Sequence, residues 1–237
     1  MFLCEFLRRL EDSKKENIVI ISVLNQKGGV GKTTLSIHIA STLALGGNRV
    51  LLIDADVQRS ALDWAATRET NPIFTVVGIP KNNIHKEVQL LKVNYEYIVI
   101  DGPPRVYDVA RSAIAASDVV LIPIQPSPYD VWSAKEVVDL VNEVKEPLQV
   151  YKKIMVAFVL NRVIAKTVIG RDVVEALEQY KDIPVLKTHI TQRVAYAETA
   201  AQGTSVIEEY PKTNAGLEIK HMVEELVKLV RNNEKKQ

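Results

Sequence analysis

A doubly wound α/β domain on a mostly parallel sheet is the fold class this sequence predicts, and three observations carry the prediction. Short apolar runs rich in β-branched residues alternate along the chain with stretches of helical periodicity. These runs are apolar at nearly every position, which suits strands covered by helices on both faces. The first run, Ile18-Val19-Ile20-Ile21-Ser22-Val23-Leu24, passes into a glycine-rich loop that opens a helical pattern.

The elements follow in order. Strands are expected at 18–24, 50–53, 73–77, 97–100, 119–124, 153–160 and 183–186. Helices are expected near 32–46, 59–68, 83–92, 107–116, 130–145, 171–180, 192–202 and 214–231. Each β-rich run is separated from the next by a helical stretch, and right-handed crossovers then give the doubly wound topology. Function is expected beyond the carboxyl ends of the strands. No linker stands out after residue 17, so 18–237 reads as a single domain preceded by an extension, 1–17. In that extension Phe2, Leu3, Phe6, Leu7 and Leu10 share one helical face. A packed or partner-binding helix, a weak membrane anchor and a misassigned start all fit it; the first is preferred.

Composition narrows the class. The chain has 237 residues, 47% of them hydrophobic, enough for one sizeable core. Its net charge of +1 means that any basic surface must be local. The single cysteine, Cys4, excludes a disulfide framework and a cysteine-built metal cluster, and fits a reducing cytoplasm. The apolar runs are too short to span a bilayer. His38, His85, His189 and His221 are isolated, with no ligand spacing. Trp64 and Trp132 read as core or interface residues.

The loop Lys27-Gly28-Gly29-Val30-Gly31-Lys32-Thr33-Thr34 is a phosphate cradle. Its glycines let backbone N–H groups approach an anion, the following helix adds its positive end, and Lys32 adds a full charge. Thr33 brings the hydroxyl that such loops set on Mg²⁺. The common pattern has glycine at position 26; here Gln26 stands there, with a second lysine, Lys27, beside it.

KGGVGKTT resembles the deviant Walker A loop of the ParA/MinD superfamily of P-loop, dimerising ATPases. The resemblance implies ATP and Mg²⁺ as cofactors, contact of 28–34 with the nucleotide, and Lys27 reaching across a homodimer to the partner's nucleotide. Asp54-Ala55-Asp56-Val57-Gln58, at the end of the second strand, is similar to the family's first switch, with Val57 in place of the common proline. It implies that Asp54 supports the metal shell and Asp56 positions or deprotonates the attacking water. Asp101-Gly102-Pro103-Pro104 closes the fourth strand, and Asp101 occupies a Walker B position, where a carboxylate holds Mg²⁺-bound water. In the family the loop of Pro128 and Asp130, with an Asn-Arg pair here supplied by Asn161 and Arg162, borders the adenine. Asp130 reads equally as a helix cap.

Within the family the chain is most similar to the small ParA proteins of plasmid and chromosome partition. That implies non-specific DNA binding by the ATP dimer, a ParB-like partner that stimulates a weak intrinsic ATPase, and a cytoplasmic, nucleoid-associated location. Candidate DNA contacts are Arg193, in Thr188-His189-Ile190-Thr191-Gln192-Arg193, and Lys220, Lys228 and Arg231 of the last helix, with Lys235 and Lys236 beyond. For Arg193 an ion pair with a carboxylate such as Glu198 fits as well. A MinD-like membrane ATPase is the runner-up, with a ParA-like positioner of protein cargo. The polar end of the last helix speaks against a membrane partner. An iron–sulfur reductase with the same loop needs cysteines that the chain lacks, and a small-molecule ligase would show no DNA dependence.

Overall fold

The computed structural model of the chain describes residues 18–164 and 169–234. Six parallel strands form one sheet: β1 (Val19–Val23), β2 (Val50–Asp54), β3 (Thr75–Gly78), β4 (Tyr97–Asp101), β5 (Val119–Ile124) and β6 (Met155–Leu160). Their spatial order is β3-β2-β4-β1-β5-β6. The helices are α1 (Lys32–Leu45), α2 (Ser60–Ala66), α3 (Ile84–Leu91), α4 (Tyr107–Ala116), α5 (Pro128–Leu148), α6 (Ile169–Leu177), α7 (Ala195–Ala201), α8 (Val206–Glu209) and α9 (Asn214–Glu234).

The two-residue period of a strand divides the core between the two faces. Ile20, Leu51, Ile53, Ile98 and Ile100 point to one side, where they pack with Ile84 and Val88 of α3, Ile114 of α4 and Val137 and Val141 of α5. Val19, Ile21, Leu52 and Val99 point to the other, against Leu35 and Ile39 of α1, Trp64 of α2 and Met222 and Leu226 of α9. Each fully buried aliphatic side chain stabilises the fold by about 1.5–3 kcal/mol. Truncating one such as Ile98 to alanine would cost about 2–5 kcal/mol through the cavity it leaves.

The expected seventh strand at 183–186 is not a sheet strand. Phe158 N–H donates to the Pro184 carbonyl (2.9 Å) and Leu186 N–H to the Phe158 carbonyl (2.8 Å), leaving one isolated parallel bridge, Phe158 to Val185. Pro184 has no N–H to extend a ladder. Helix α5 starts at Pro128, two residues before the expected bound, because proline fits the first helical position. The expected helix at 192–202 is shortened to α7. The short α8 was not expected, although Ser205 and Glu208 form a capping box whose spacing is visible in the sequence. Residues 1–17, and with them the expected N-terminal helix and Cys4, lie outside the described residues, as do Lys235 and Lys236.

β1 is the strand at which the chain's progress across the sheet reverses. It pairs with β4 on one side and β5 on the other. The loop leaving its carboxyl end therefore opens into the crevice where α/β sheets bind ligands.

Candidate functional site

The loop after β1 is held by side chains from neighbouring strand ends. Asn25 Nδ2 donates to the Pro123 carbonyl (2.8 Å), and Asn25 Oδ1 accepts from the Lys27 N–H (2.9 Å). Gln125 Nε2 donates to the Gly29 carbonyl (2.9 Å) and Asn161 Nδ2 to the Val30 carbonyl (2.7 Å). With these carbonyls tied outward, Gly29 (φ 76°) and Gly31 (φ 94°) take left-handed conformations that open the loop for an anion. At Gly31 a Cβ would also stand 2.3 Å from Asn161 Nδ2. Asn161 thus braces the loop from below. Asn25 and Gln125 were not singled out from the sequence; Gln125 acts on a loop 96 positions away and Asn25 is anchored to Pro123, 98 positions away, separations that no local spacing signals.

The two lysines go to different places. Lys32, at the first turn of α1, is buried and its Nζ donates to the Lys27 carbonyl (3.0 Å). Burial lowers its pKa, against the pull of the Asp101 and Asp56 carboxylates. Lys27 Nζ points out of the cradle to Asp130 Oδ2 (2.7 Å). Asp130 is fully buried in the first turn of α5, with Ser127 at the N-cap position, so it is not the helix cap. Neither Asp130 nor the exposed Pro128 lines a cavity at the loop. The partner of Asp130 in this structure is the ammonium of Lys27.

The carboxylates also separate. Asp101, at the end of β4, is buried and takes hydrogen bonds from Thr33 and from Ser36 Oγ (3.2 Å). Desolvation, helped by the Asp54 charge, pushes its carboxyl up to about 7 against the hydrogen bonds and Lys32. Asp54 is buried with its lone pairs taken by backbone donors: Asp56 N–H (3.1 Å) on Oδ1, Ala61 N–H (2.9 Å) and Leu62 N–H (3.1 Å) on Oδ2. These three bonds tie it to the turn leading into α2, so it shapes the switch. Asp56 is half-buried, accepts from the Gln58 N–H (2.9 Å), and lines the phosphate side of the crevice. Among the described residues no cluster of three or more His, Cys, Asp or Glu could hold a metal by itself. Thr33 hydroxyl and Asp101 offer hard oxygen donors of the kind Mg²⁺ takes together with phosphate and water, so they fit that ion.

Two adjoining cavities run from the loop. One of about 540 Å³ lies over Gly28, Gly29, Lys32 and Thr33 and is walled by Asp56, Pro104 and Trp64. The second, about 900 Å³, lies between Asn161-Arg162 and the segment Ile190–Tyr196. Gly31, Thr34, Arg162 and Tyr196 line both. Arg162 holds a left-handed backbone (φ 54°) and is exposed over the junction. Behind the phosphate side, His38 Nδ1 donates to the Thr34 carbonyl (2.6 Å), and its Nε2 accepts from the Val206 N–H (3.2 Å). Full burial depresses its pKa to about 4, so the ring is neutral. It meets Tyr196 edge-on, with ring centres 5.2 Å apart.

The proposed DNA contacts are scattered. Arg193 Nη2 is paired with Glu218 Oε1 (2.6 Å) of α9, not with Glu198, and lines the larger cavity. Glu218 also accepts from the N–H and hydroxyl of Thr191, both at 3.0 Å, so it fixes this segment. Lys220, Lys228 and Arg231 are exposed along α9, but exposed Glu224 lies one turn from Lys220 and from Lys228. The stripe is mixed in charge. Trp64 is buried, stacked on Phe74 at 5.7 Å, whereas Trp132 is 69% exposed and outside the core.

Comparison with known proteins agrees with this geometry. Residues 21–206 match the family described as the CobQ/CobB/MinD/ParA nucleotide binding domain, and the chain belongs to that family. Among its relatives is the maintenance of carboxysome distribution protein A of Halothiobacillus neapolitanus. The two are 29% identical over 192 residues, covering 79% of this chain and 86% of the relative. The chromosome partitioning protein ParA of Myxococcus xanthus is 28% identical over 228 residues, covering 79% and 80%. The fold is also that of the septum site-determining protein MinD of Pyrococcus horikoshii, solved with Mg-ADP. That structure aligns with TM-score 0.71 and 19% identity over 90% of this chain and 97% of that one.

Proposed function

We propose that this chain is an ATPase that dimerises on ATP and Mg²⁺ and partitions plasmid or chromosomal DNA. The observation that carries the reading is the pair of lysines in one loop. Lys32 lies in the cradle; Lys27 faces away from it and lines neither cavity. A cation built into a phosphate loop yet turned from its own phosphates suits action on a second chain's nucleotide.

In this reading the N–H groups of residues 28–34 and the start of α1 bind the phosphates, and Lys32 balances their charge. Mg²⁺, held through Thr33 and Asp101, would draw charge from the β- and γ-phosphates. Asp56 orients the attacking water on the open side. Arg162 covers the nucleoside in the larger cavity, while Asn161 keeps the loop in shape beneath it. Lys27 arrives from the partner, so turnover is slow until the dimer forms. The dimer binds DNA without regard to sequence through α9, and a ParB-like partner stimulates hydrolysis. The partition reading is supported by the ParA relative and by the motifs themselves. The relative named for carboxysome distribution supports the alternative of a protein-cargo positioner, which would share every group in the site. Among the described residues no helix is long and apolar enough to cross a membrane.

Gel shifts of the Asp56→Ala protein on unrelated DNA duplexes, with ATP against ADP across a salt series, test the reading. ATP-dependent, sequence-indifferent binding that falls steeply with salt is expected. Equal binding in ADP, or none at low salt, would overturn partition and leave the cargo alternative.

A further inference from the structure

Trp64 and Thr204, 140 positions apart, meet in the wall of the phosphate-side cavity, where Trp64 Nε1 donates to the Thr204 carbonyl (3.1 Å). One turn after Trp64, Arg68 closes the same junction. Its Nη1 donates to the Gly203 carbonyl (3.0 Å) and to Glu208 Oε1 (3.3 Å), its Nη2 pairs with Glu208 Oε2, and its Nε donates to the Asn71 carbonyl (3.1 Å). The Arg68 and Glu208 side chains are only 7% and 11% exposed. Gly203, at φ 63°, lies so close that a Cβ there would stand 2.5 Å from the Arg68 backbone nitrogen. The far side of the junction is itself anchored. Glu208 Oε1 accepts from the Ser205 N–H (3.1 Å) and hydroxyl (2.9 Å), and the Val206 N–H donates to His38 Nε2 of α1 (3.2 Å). A clamp thus runs from the end of α2 through 203–208 to the helix that opens the phosphate cradle. Stability alone is weak ground for a buried ion pair, because apolar residues of the same volume serve as well; what the planar fork of Arg68 adds is a fixed geometry.

We infer, on the ATPase reading above, that Arg68 is a positioning residue for hydrolysis: by fixing the far end of α2 to Gly203 and Glu208 it sets the width of the phosphate-side cavity and, through α2, the place of Asp56. Three observations lead there. First, α2 has seven residues, about two turns, and so moves as one rod. Second, Asp56 stands in the turn that enters this rod. Asp54 ties the turn to the strand end by accepting from the Ala61 and Leu62 N–H groups, and the Asp56 carboxylate accepts from the Gln58 N–H. Residues 57–60 are exposed, so the turn takes its position from α2. Third, the phosphate loop is braced from elsewhere, by Gln125 and Asn161 at the ends of β5 and β6. Holding the phosphates and placing the attacking water therefore rest on separate supports. A displacement of about 1 Å in a group that orients a reactant costs up to about a hundredfold in rate.

Arg68→Gln and Glu208→Gln test the clamp. The second is the milder change, because glutamine keeps an acceptor for Ser205. Each variant is measured for affinity toward a non-hydrolysable ATP analogue with Mg²⁺, for ATP turnover at saturation and for thermal unfolding, while sedimentation with the analogue follows self-association. Turnover should fall by about tenfold or more, with affinity within about twofold of wild type and self-association unchanged. Arg68→Lys, which keeps the charge but not the fork, should lie between. The double variant should fall no further than the worse single one, since both substitutions break one link. Wild-type turnover in a folded Glu208→Gln protein, equal losses of affinity and turnover, or a loss of turnover that follows a loss of self-association would each overturn the positioning role and leave the ATPase reading standing. A wild-type protein that binds ATP and never releases phosphate overturns that reading, and the role of Arg68 with it.

Discussion

Lys27 and Asp130, 103 positions apart, form an ion pair of 2.7 Å in which the carboxylate is fully buried and the ammonium is partly exposed. The carboxylate's second oxygen has no hydrogen-bond partner. The lysine is therefore the main compensation for a buried charge, and it must leave that charge to act elsewhere.

Lys27→Gln should keep nucleotide binding in the monomer and lose ATP-dependent dimerisation and hydrolysis. It should also cost stability, by about 1 kcal/mol, because Asp130 loses its partner while the exposed lysine was partly screened by water. Binding isotherms, sedimentation with ATP and urea unfolding read the three effects. Unimpaired hydrolysis would remove the lysine from the mechanism.

Lys32→Ala should abolish tight ATP binding and not turnover alone. A charge-assisted contact with phosphate contributes about 2 kcal/mol or more, so affinity should fall by roughly thirtyfold at least. Wild-type affinity for a labelled ATP analogue would refute the assignment.

Gly31→Ala and Asn161→Ala attack one brace from its two sides. The first forces a side chain into a left-handed backbone and against Asn161 Nδ2; the second leaves the buried Val30 carbonyl without its donor. Each should cost about 1–3 kcal/mol of loop stability and weaken nucleotide binding. Thermal unfolding with and without ATP separates the two losses. If either variant binds ATP as wild type does, the brace is dispensable.

His38 sets a pH dependence on the apo fold. Its folded pKa of about 4 lies below the usual 6.5, because burial opposes the charged ring. The unfolded chain thus binds the proton more readily. Its contribution is intact above about 6.5 and is lost as pH falls toward 4, by roughly 3 kcal/mol in all. Asp101, with its carboxyl raised to about 7, acts with the opposite sign over the same range, so the contribution of His38 is read as the difference in slope between wild type and His38→Gln in urea unfolding from pH 7 to 4. An unchanged slope in that variant would assign the dependence to other groups.

Lys220, Lys228 and Arg231 are exposed and separate from the nucleotide cavities, so their joint replacement by alanine tests DNA binding alone. The salt slope should fall by about 0.9 for each DNA phosphate that is no longer neutralised, with ATP binding unchanged. Glu224→Gln should strengthen binding by removing the intervening negative charge. Arg193→Ala is a poorer probe, because the Glu218 pair ties it to the wall of the larger cavity. An unchanged slope in the triple variant would move the DNA surface off α9.

The sequence by itself determined the parallel α/β layering, because strands apolar on both faces admit few other arrangements, and it located the cradle, because glycine spacing before a helix is a local signal. It also told Lys32 from Lys27 by position in the loop. What it could not settle were contacts between residues far apart in the chain. Asp54 and Asp101 both close apolar strands, yet only tertiary placement commits one to three backbone N–H groups and leaves the other beside Thr33 and Ser36. Asp130 could be read as a cap or an adenine contact; the approach of β1 to β5 and α5 gave it to Lys27. Arg193 found Glu218 on a helix that begins twenty-one residues later. Trp132, an ordinary apolar residue in sequence, lies outside the core because α5 turns its first-turn aromatics away from the sheet. Local geometry is written in neighbouring residues, but the pairing of charges depends on which strand ends the sheet order brings side by side.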